Sequence, residues 1–450
     1  MKADFVSLLR CPSRDCNGHE LRLQVGSIER IEYKSGAIDE VREGTIECPA
    51  CGRHYPIQEY VPSFEQLYPE GLKREAEYWG KWYGFMWERG YTGFFDIRNP
   101  VAPLITEGIE VLNPSTVEGK DIGGTHAIIA DHPRLINTEW LLDIGSGTSW
   151  SSLYFARRGH KVVAFDPAVA NMRLAKQYAI SQGEYIEYLG AAMGFLDFKP
   201  EVFDGAVALH SIHHVPNLME EMAILKGWLK EGAGIGIDEH VRNNEYLEEI
   251  MSAARKWAQE EIYPGLRTLD PSVLVGIPHA EPSEMEAVGS EQVIEAFVDN
   301  FEVDSFDGRY IAFDSLSWLY YLAQSQNKEA YDYAGGLLNL IYRFLIEAQP
   351  ESAEHVVLIG HKSNGSGSHG SKELREQALR LSRGRIGPVE EALVSAQCEV
   401  ARLQQELEVK NAHIKALEEW AHEIERHLIA AQAFPLPGAR RIMKRVLKRK

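Results

Sequence analysis

Long apolar runs are missing from this sequence. None approaches the roughly 20 residues that a membrane-spanning helix needs, so a helical membrane protein is not expected. Cysteine is scarce, with five in 450 residues. That excludes a disulfide-stapled miniprotein and points to a reducing, intracellular compartment. The opening segment Met1–Cys16 lacks a signal peptide's apolar stretch and small-residue cleavage site, so a cytoplasmic location is expected. Positive charge is also short: 66 Asp and Glu stand against 47 Lys and Arg, a net −19. Seven of the cations (Arg440, Arg441, Lys444, Arg445, Lys448, Arg449, Lys450) lie in 437–450, and removing them leaves −26 for residues 1–436. Such an acidic body repels phosphate backbones, so nucleic acid is not an expected partner.

What is present suits a folded chain of several units. A composition of 44% hydrophobic and 25% charged residues excludes disordered and collagen-like classes. The length allows about three domain-sized units.

Four cysteines cluster early, Cys11 and Cys16 as C-x4-C and Cys48 and Cys51 as C-x2-C. Short spacings let one turn supply two thiolates, and four thiolates close a tetrahedron around Zn²⁺. Alternation over Leu21–Val25 and Ile28–Tyr33 predicts strands between the two knuckles. His19 and His54 could replace a thiolate but read as surface or packing residues. The stretch Leu9-Arg10-Cys11-Pro12 … Cys48-Pro49-Ala50-Cys51-Gly52-Arg53-His54-Tyr55-Pro56-Ile57 … Val61-Pro62 resembles the zinc-ribbon domain of small activator subunits of tRNA and protein methyltransferases. The resemblance implies a stabilising and binding module that does no chemistry itself.

From Trp140 the pattern changes. Leu141–Ile144 reads as a strand, Gly145-Ser146-Gly147-Thr148 as a tight turn, and Ser149–Arg158 as a helix. That helix is expected to bury Trp150, Leu153, Tyr154 and Ala156. A second strand over Lys161–Phe165 ends at Asp166, 23 residues after Asp143. Glycines let the backbone approach a ligand closely, and a carboxylate ending the second strand can accept both hydroxyls of a ribose. A dinucleotide fold would need a third glycine where bulky Trp150 stands.

Asp143-Ile144-Gly145-Ser146-Gly147 instead resembles the first motif of class I S-adenosylmethionine-dependent methyltransferases. The resemblance continues through Phe203–His210, Ser211–Asn217 and Leu229–Glu239, and spans about Glu139 to Lys362. It implies an α/β fold with a Rossmann-like, seven-stranded, mostly parallel sheet, whose late strands would be Phe301–Phe306 and His355–Ile359. It also implies S-adenosylmethionine held by Asp143, Gly145, Ser146, Gly147, Asp166, Ala192 and Met193, with His210 beside the adenosine. Many relatives carry Gly-Asp-Ala after the third strand. This chain has Gly190-Ala191-Ala192-Met193, with Asp197 as a candidate substitute for the adenine-binding acid.

Methyl transfer from a sulfonium is an in-line displacement, so alignment dominates. An alcohol acceptor must also lose its proton, for which His suits. The candidate catalytic residues are His213 and His214 after the fourth strand, with Glu239 and His240 after the fifth. The same histidines could simply pack near the cofactor. Oxygen and imidazole donors at His213, His214, Asp238, Glu239 and His240 would also suit Mg²⁺ or Mn²⁺, although no spacing rule marks a site there. The aromatic run Glu77–Trp87 suits either an acceptor pocket or interdomain packing. Asn244–Leu269 reads as a helical insertion able to act as a lid.

The remaining chain reads as an assembly device. After a Gly/Ser-rich stretch, Ser363–Ser371, and a short helix, apolar residues recur by four and three from Val389. Twelve of thirteen seam positions from Val389 to Ala431 are apolar, with Lys410 the exception, which predicts a coiled coil and a homo-oligomer, the alternative being one long helix folded back on the body. The tail Ala439–Lys450 mixes Ile442, Met443, Val446 and Leu447 with seven cations, as membrane-surface helices do, and the same pattern would also suit a tail for nucleic acid or an acidic partner protein. The organisation expected is therefore a zinc-ribbon-like domain over 1–65 and a methyltransferase domain over 66–362, with a helical cap (66–138) and lid (241–300). A linker (363–388), a coiled coil (389–432) and a basic amphipathic tail (433–450) follow. The architecture resembles enzymes that modify surface polysaccharides. The expected activity is O-methylation of a glycan or nucleotide sugar at the inner membrane face. The alternatives are methylation of tRNA or a translation protein, and a non-catalytic scaffold.

Overall fold

The computed structural model describes residues 1–16, 18–88, 125–241, 288–309, 355–363 and 369–383. The coiled-coil seam, the basic tail and the insertion Asn244–Leu269 lie outside the described residues. Among the described residues no helix is long and apolar enough to cross a membrane.

The first sheet is antiparallel, in the order β1 (Arg22–Tyr33), β2 (Gly36–Glu47), β3 (His54–Gln58), β4 (Val61–Pro62). The two short strands expected between the cysteine pairs are one continuous β1, bulged between Val25 and Ile28 and paired with β2. Bulges keep pairing while bending the strand, which is why the alternation looks interrupted at Gly26.

The second sheet comprises β5 (Trp140–Ile144), β6 (Lys161–Asp166), β7 (Ile186–Gly190), β8 (Phe203–Leu209), β9 (Leu229–His240), β10 (Glu302–Arg309) and β11 (His355–His361). Its order is β10-β11-β9-β8-β5-β6-β7, with β11 antiparallel to both neighbours and every other pairing parallel. The strands are nearly continuous apolar runs because helices cover both faces. Those helices include α1 (Glu70–Glu88), α2 (Thr125–Ala130), α3 (Trp150–Arg157), α4 (Val169–Ser181), α5 (Leu218–Trp228), α6 (Val293–Asn300) and α7 (His369–Arg383). Consecutive connections run to opposite sides of β5, which opens a crevice at the carboxyl ends of β5 and β8.

Three expectations need correction. Helix α3 buries Ser151, Ser152, Leu153 and Phe155, while Trp150, Tyr154 and Ala156 sit at its partly covered flank. Asp143 turns the helix this way by accepting both serine hydroxyls, at 2.7 and 2.5 Å. The end of the supposed lid is not a lid: α6 buries Val293, Ile294, Ala296, Phe297 and Val298 in the main core. The short helix expected within 363–388 is present as α7 but is not part of a linker: it buries Ala378, Leu379 and Leu381 and is tied to α6 by Arg375 on Asp299 at 2.6 Å.

The first sheet is packed onto the second. Edge strand β7 would otherwise expose unpaired backbone groups. At its end, Ser63 bridges Gly190 and the Phe64 N–H donates to the Gly190 carbonyl at 2.9 Å. Further along, Arg10 N–H donates to the Asp197 carbonyl (2.9 Å) and Lys199 N–H to the Leu8 carbonyl (2.8 Å). Phe5, Leu9, Tyr55 and Phe64 share one core with Phe198, Phe203 and Trp228. Asp197, the candidate adenine ligand, accepts the Trp228 indole N–H at 3.1 Å and faces Arg10 at 3.6 Å, so it serves this junction.

Candidate active site

At the end of β5 the chain turns sharply, with Gly145 at φ +66° and Gly147 at φ +51°. Side chains rarely tolerate this region. A Cβ on Gly145 would stand 2.3 Å from the Cβ of Ser211, and one on Gly147 would stand 3.0 Å from the Tyr83 hydroxyl. The turn is therefore backbone-only on both approaches. Asp166, at the end of β6, accepts the N–H of Gly147 at 3.0 Å and that of Ala168 at 2.9 Å. Its carboxylate thus faces the turn and still has lone pairs for further donors. Burial pushes Asp166 up to about 6, against the lowering pull of those two amides. Asn171 on α4 donates its side-chain N–H to the Gly147 carbonyl.

Asp143 is committed elsewhere. It is buried beneath the turn, holding Ser151 and Ser152 at the start of α3, and burial pushes it up to about 6 as well. It positions the turn rather than facing its mouth. The Ser146 side chain is buried against Met172. Ala192 and Met193 are buried after β7, Ala192 clustering with Tyr68 and Leu72 and Met193 joining the main core.

Helix α1 roofs the turn. Tyr83 lies over Gly147, and Trp79 stacks on Tyr83 with ring centroids 5.6 Å apart. Trp79 also meets His214 edge-on at 5.5 Å and donates its indole N–H to Glu75 at 2.7 Å. For these two rings the aromatic run is a cover over the glycine turn.

The carboxyl ends of β8 and β9 bring the predicted histidines together. Glu239, fully buried, accepts the backbone N–H of Ser211 (2.9 Å) and of Ile212 (3.0 Å). Its second oxygen accepts a hydrogen bond from His213 Nδ1–H at 2.7 Å. The His213 ring lies 4.2 Å from that of His214 and 5.9 Å from that of His240. His214 Nδ1 is 3.6 Å from Glu75, and His240 lies against Ser290. His210, at φ +56°, puts Nε2 at 3.6 Å from Asp238. Burial alone would depress His210, but the Asp238 carboxylate outweighs it and raises the imidazole. His355, whose ring is 5.2 Å from His210, is held well below the usual range by burial and by neighbouring imidazoles.

Sequence reasoning passed over His355, Asn171, Glu75 and Ser211. Each is an ordinary residue type in its own segment, and only strand register or helix placement brings it here.

In the N-terminal sheet, Cys11, Cys16, Cys48 and Cys51 converge with all four sulfurs within 4.8 Å of one another. Cys16 and Cys48 sulfurs are 3.2 Å apart, and those of Cys11 and Cys51 are 3.7 Å apart. Gly52 makes the turn after the second pair at φ +70°.

The family profile described as a methyltransferase domain matches residues 142–235, the span from β5 into β9. A ubiquinone biosynthesis O-methyltransferase of Idiomarina loihiensis is 28% identical over 164 residues, covering 36% of this chain and 68% of that protein. The Methylocella silvestris enzyme of the same name is 31% identical over 83 residues, 18% of this chain and 32% of its own length. Among solved structures, the [4+2]-cyclase SpnF overlaps 62% of this chain and 95% of its own, at 16% identity and a TM-score of 0.35. The PH0226 protein from Pyrococcus horikoshii overlaps 60% and 95%, at 15% identity and a TM-score of 0.33. The glycine turn, the sheet order around it and the family match over the same residues support S-adenosylmethionine-dependent methyl transfer as the activity of this domain.

Proposed function

We propose that the chain O-methylates a hydroxyl-bearing acceptor, with His213 as general base. The observation that carries this reading is the Glu239–His213 pair beside the glycine turn. Glu239 accepts from Nδ1–H and so sets the tautomer in which Nε2 carries the lone pair that a general base uses. S-adenosylmethionine would be held by the Gly145–Gly147 turn, with Asp166 positioned to accept from its ribose, and would supply an electrophilic methyl. Trp79 and Tyr83 exclude water above the turn and help to align the acceptor oxygen.

The acceptor favoured here is a sugar hydroxyl, on a surface glycan or a nucleotide sugar. Its support is the patterned segment 389–450, whose coil would assemble the chain and whose cations would hold it to anionic lipid. A phenolic hydroxyl is the second reading, favoured by the relatives whose names place them in ubiquinone biosynthesis. The acidic body opposes a tRNA acceptor.

The four thiols are proposed to hold structural Zn²⁺. A tetrahedron with 2.3 Å bonds places sulfurs about 3.8 Å apart, close to the 3.7 Å seen between Cys11 and Cys51. Metal binding there would add folding free energy to a small sheet with little core of its own.

Transfer of labelled methyl to nucleotide sugars, lipid-linked glycans, catechols and tRNA tests the assignment. Label is expected in the glycan fraction, with kcat lowered about 10²–10⁴-fold in His213→Ala and cofactor affinity kept. Absence of S-adenosylmethionine binding by calorimetry, or a full rate in His213→Ala, would sink it.

A further inference from the structure

On the face of the sheet opposite Glu239, a second cluster gathers. Strand alternation puts Asp238 and His240 on one face of β9 and Glu239 on the other. On β11, His355 is the register partner of His240, so it shares the Asp238 face. From the end of β8, His210 bends over this face at φ +56°, its Nε2 at 3.6 Å from the Asp238 carboxylate. One ligand atom each from His210, Asp238 and His355 lies within 4.8 Å of the others. The rings of His355 and His240 are 5.0 Å apart. Asp238 and His355 are buried while His210 is partly exposed, so the cluster opens to one side.

We propose that His210, Asp238 and His355 form a divalent transition-metal site. Bonds of about 2.0–2.2 Å from a metal to nitrogen and oxygen place neighbouring donors about 3.0–3.6 Å apart, and the His210–Asp238 distance is already 3.6 Å. Small rotations close the rest. Two imidazoles and one carboxylate suit Mn²⁺, Fe²⁺, Co²⁺ or Zn²⁺ better than Mg²⁺ or Ca²⁺, which prefer all-oxygen shells. Three protein donors leave coordination positions for an outside oxygen on the exposed side of His210. His210 directly precedes Ser211, which touches the Gly145 turn. The His240 ring stands 5.9 Å from that of His213 and 5.0 Å from that of His355, so a cation here would favour the anionic form of an acceptor oxygen bound near those rings. That role rests on the O-methylation reading, whereas the metal site stands without it.

The test uses the full chain without cofactor or acceptor. Mn²⁺, a poor thiol ligand partner, is titrated and the free ion followed by electron paramagnetic resonance. About one equivalent is expected to bind, with affinity falling about tenfold or more in His355→Gln and Asp238→Asn. His361→Gln on the same strand, where His361 pairs with Asp304 at 2.7 Å, is expected to bind as the parent does. Circular dichroism and S-adenosylmethionine binding check that each variant is folded. No Mn²⁺ binding in the parent, or equal binding in both cluster variants, overturns the site. If the variants do not fold, Co²⁺ absorption of the parent decides. A second equivalent that adds d–d bands without thiolate charge transfer supports the site, and saturation by thiolate-bound Co²⁺ alone overturns it. A chain that binds Mn²⁺ yet transfers no methyl would defeat the O-methylation reading and leave the metal site standing.

Discussion

Two groups of buried carboxylates in this protein meet opposite fates. At the junction of the two sheets, Glu40 is fully buried against Lys176, 2.7 Å away, and the amino group of Met1 at 2.5 Å. Burial pushes Glu40 up, but the two cations outweigh it and hold the acid below its usual range. At the glycine turn, Asp166 and Asp143 are nearly as buried but, among the described residues, receive amide and hydroxyl donors alone, and both rise to about 6. The difference separates a clamp from a site. A charge neutralised by a fixed cation holds two elements together, whereas one satisfied by neutral donors can still accept more hydrogen bonds from a ligand.

The largest expected effect comes from breaking the clamp. Lys176→Met should cost about 3–5 kcal/mol in urea unfolding, because Glu40 loses a main counter-charge while remaining buried. Adding Glu40→Gln should recover part of that loss, and no recovery would mean that the pair is not the cause. The sign with pH follows from the depressed acid. Glu40's contribution is present above its unfolded pKa, near the ordinary glutamate value, and is lost as pH falls through its lower folded value.

The next effect sharpens the other half of the comparison. Asp166→Ala should weaken S-adenosylmethionine binding by about 1.5–3 kcal/mol, the worth of hydrogen bonds to a charged acceptor. Calorimetry reads it directly. An unchanged affinity would remove Asp166 from the cofactor site.

The smallest effect is a pH dependence. A carboxylate accepts both ribose hydroxyls, whereas its protonated form has fewer free lone pairs. With Asp166 titrating at about 6, affinity for S-adenosylmethionine should fall as pH drops below that value and level off above it. Asp166→Asn should flatten the profile between pH 5 and 7.5, values chosen to span about 1 unit or more on either side. A profile of the same shape in the variant would assign the titration to another group.

Much of the framework was legible in the chain because its signals are local. The run Leu141–Ile144, the glycines at 145 and 147 and the acid at 166 announce strand, turn and strand within 26 residues. The observed β5 and β6 match within one residue. The cysteine pairs announce two knuckles in the same way. The N-terminal hairpin was harder, since the bulge at Val25–Ile28 hides a 12-residue strand behind two short alternations. Helix α3 was rotated from its apolar reading because two serines reach for Asp143, and a hydrogen-bonded buried acid outweighs the burial of an indole.

By itself, the sequence determined where strands, turns and knuckles occur, because backbone preference and side-chain alternation act over a few residues. Only the tertiary structure decided that Glu40 meets Lys176 from 136 positions away, and that His355 arrives beside His210 through pairing of β11 with β9. It also decided that Tyr83 lies over Gly147. Those meetings depend on strand order, register and helix placement, which the packing of the whole core selects and no local pattern encodes.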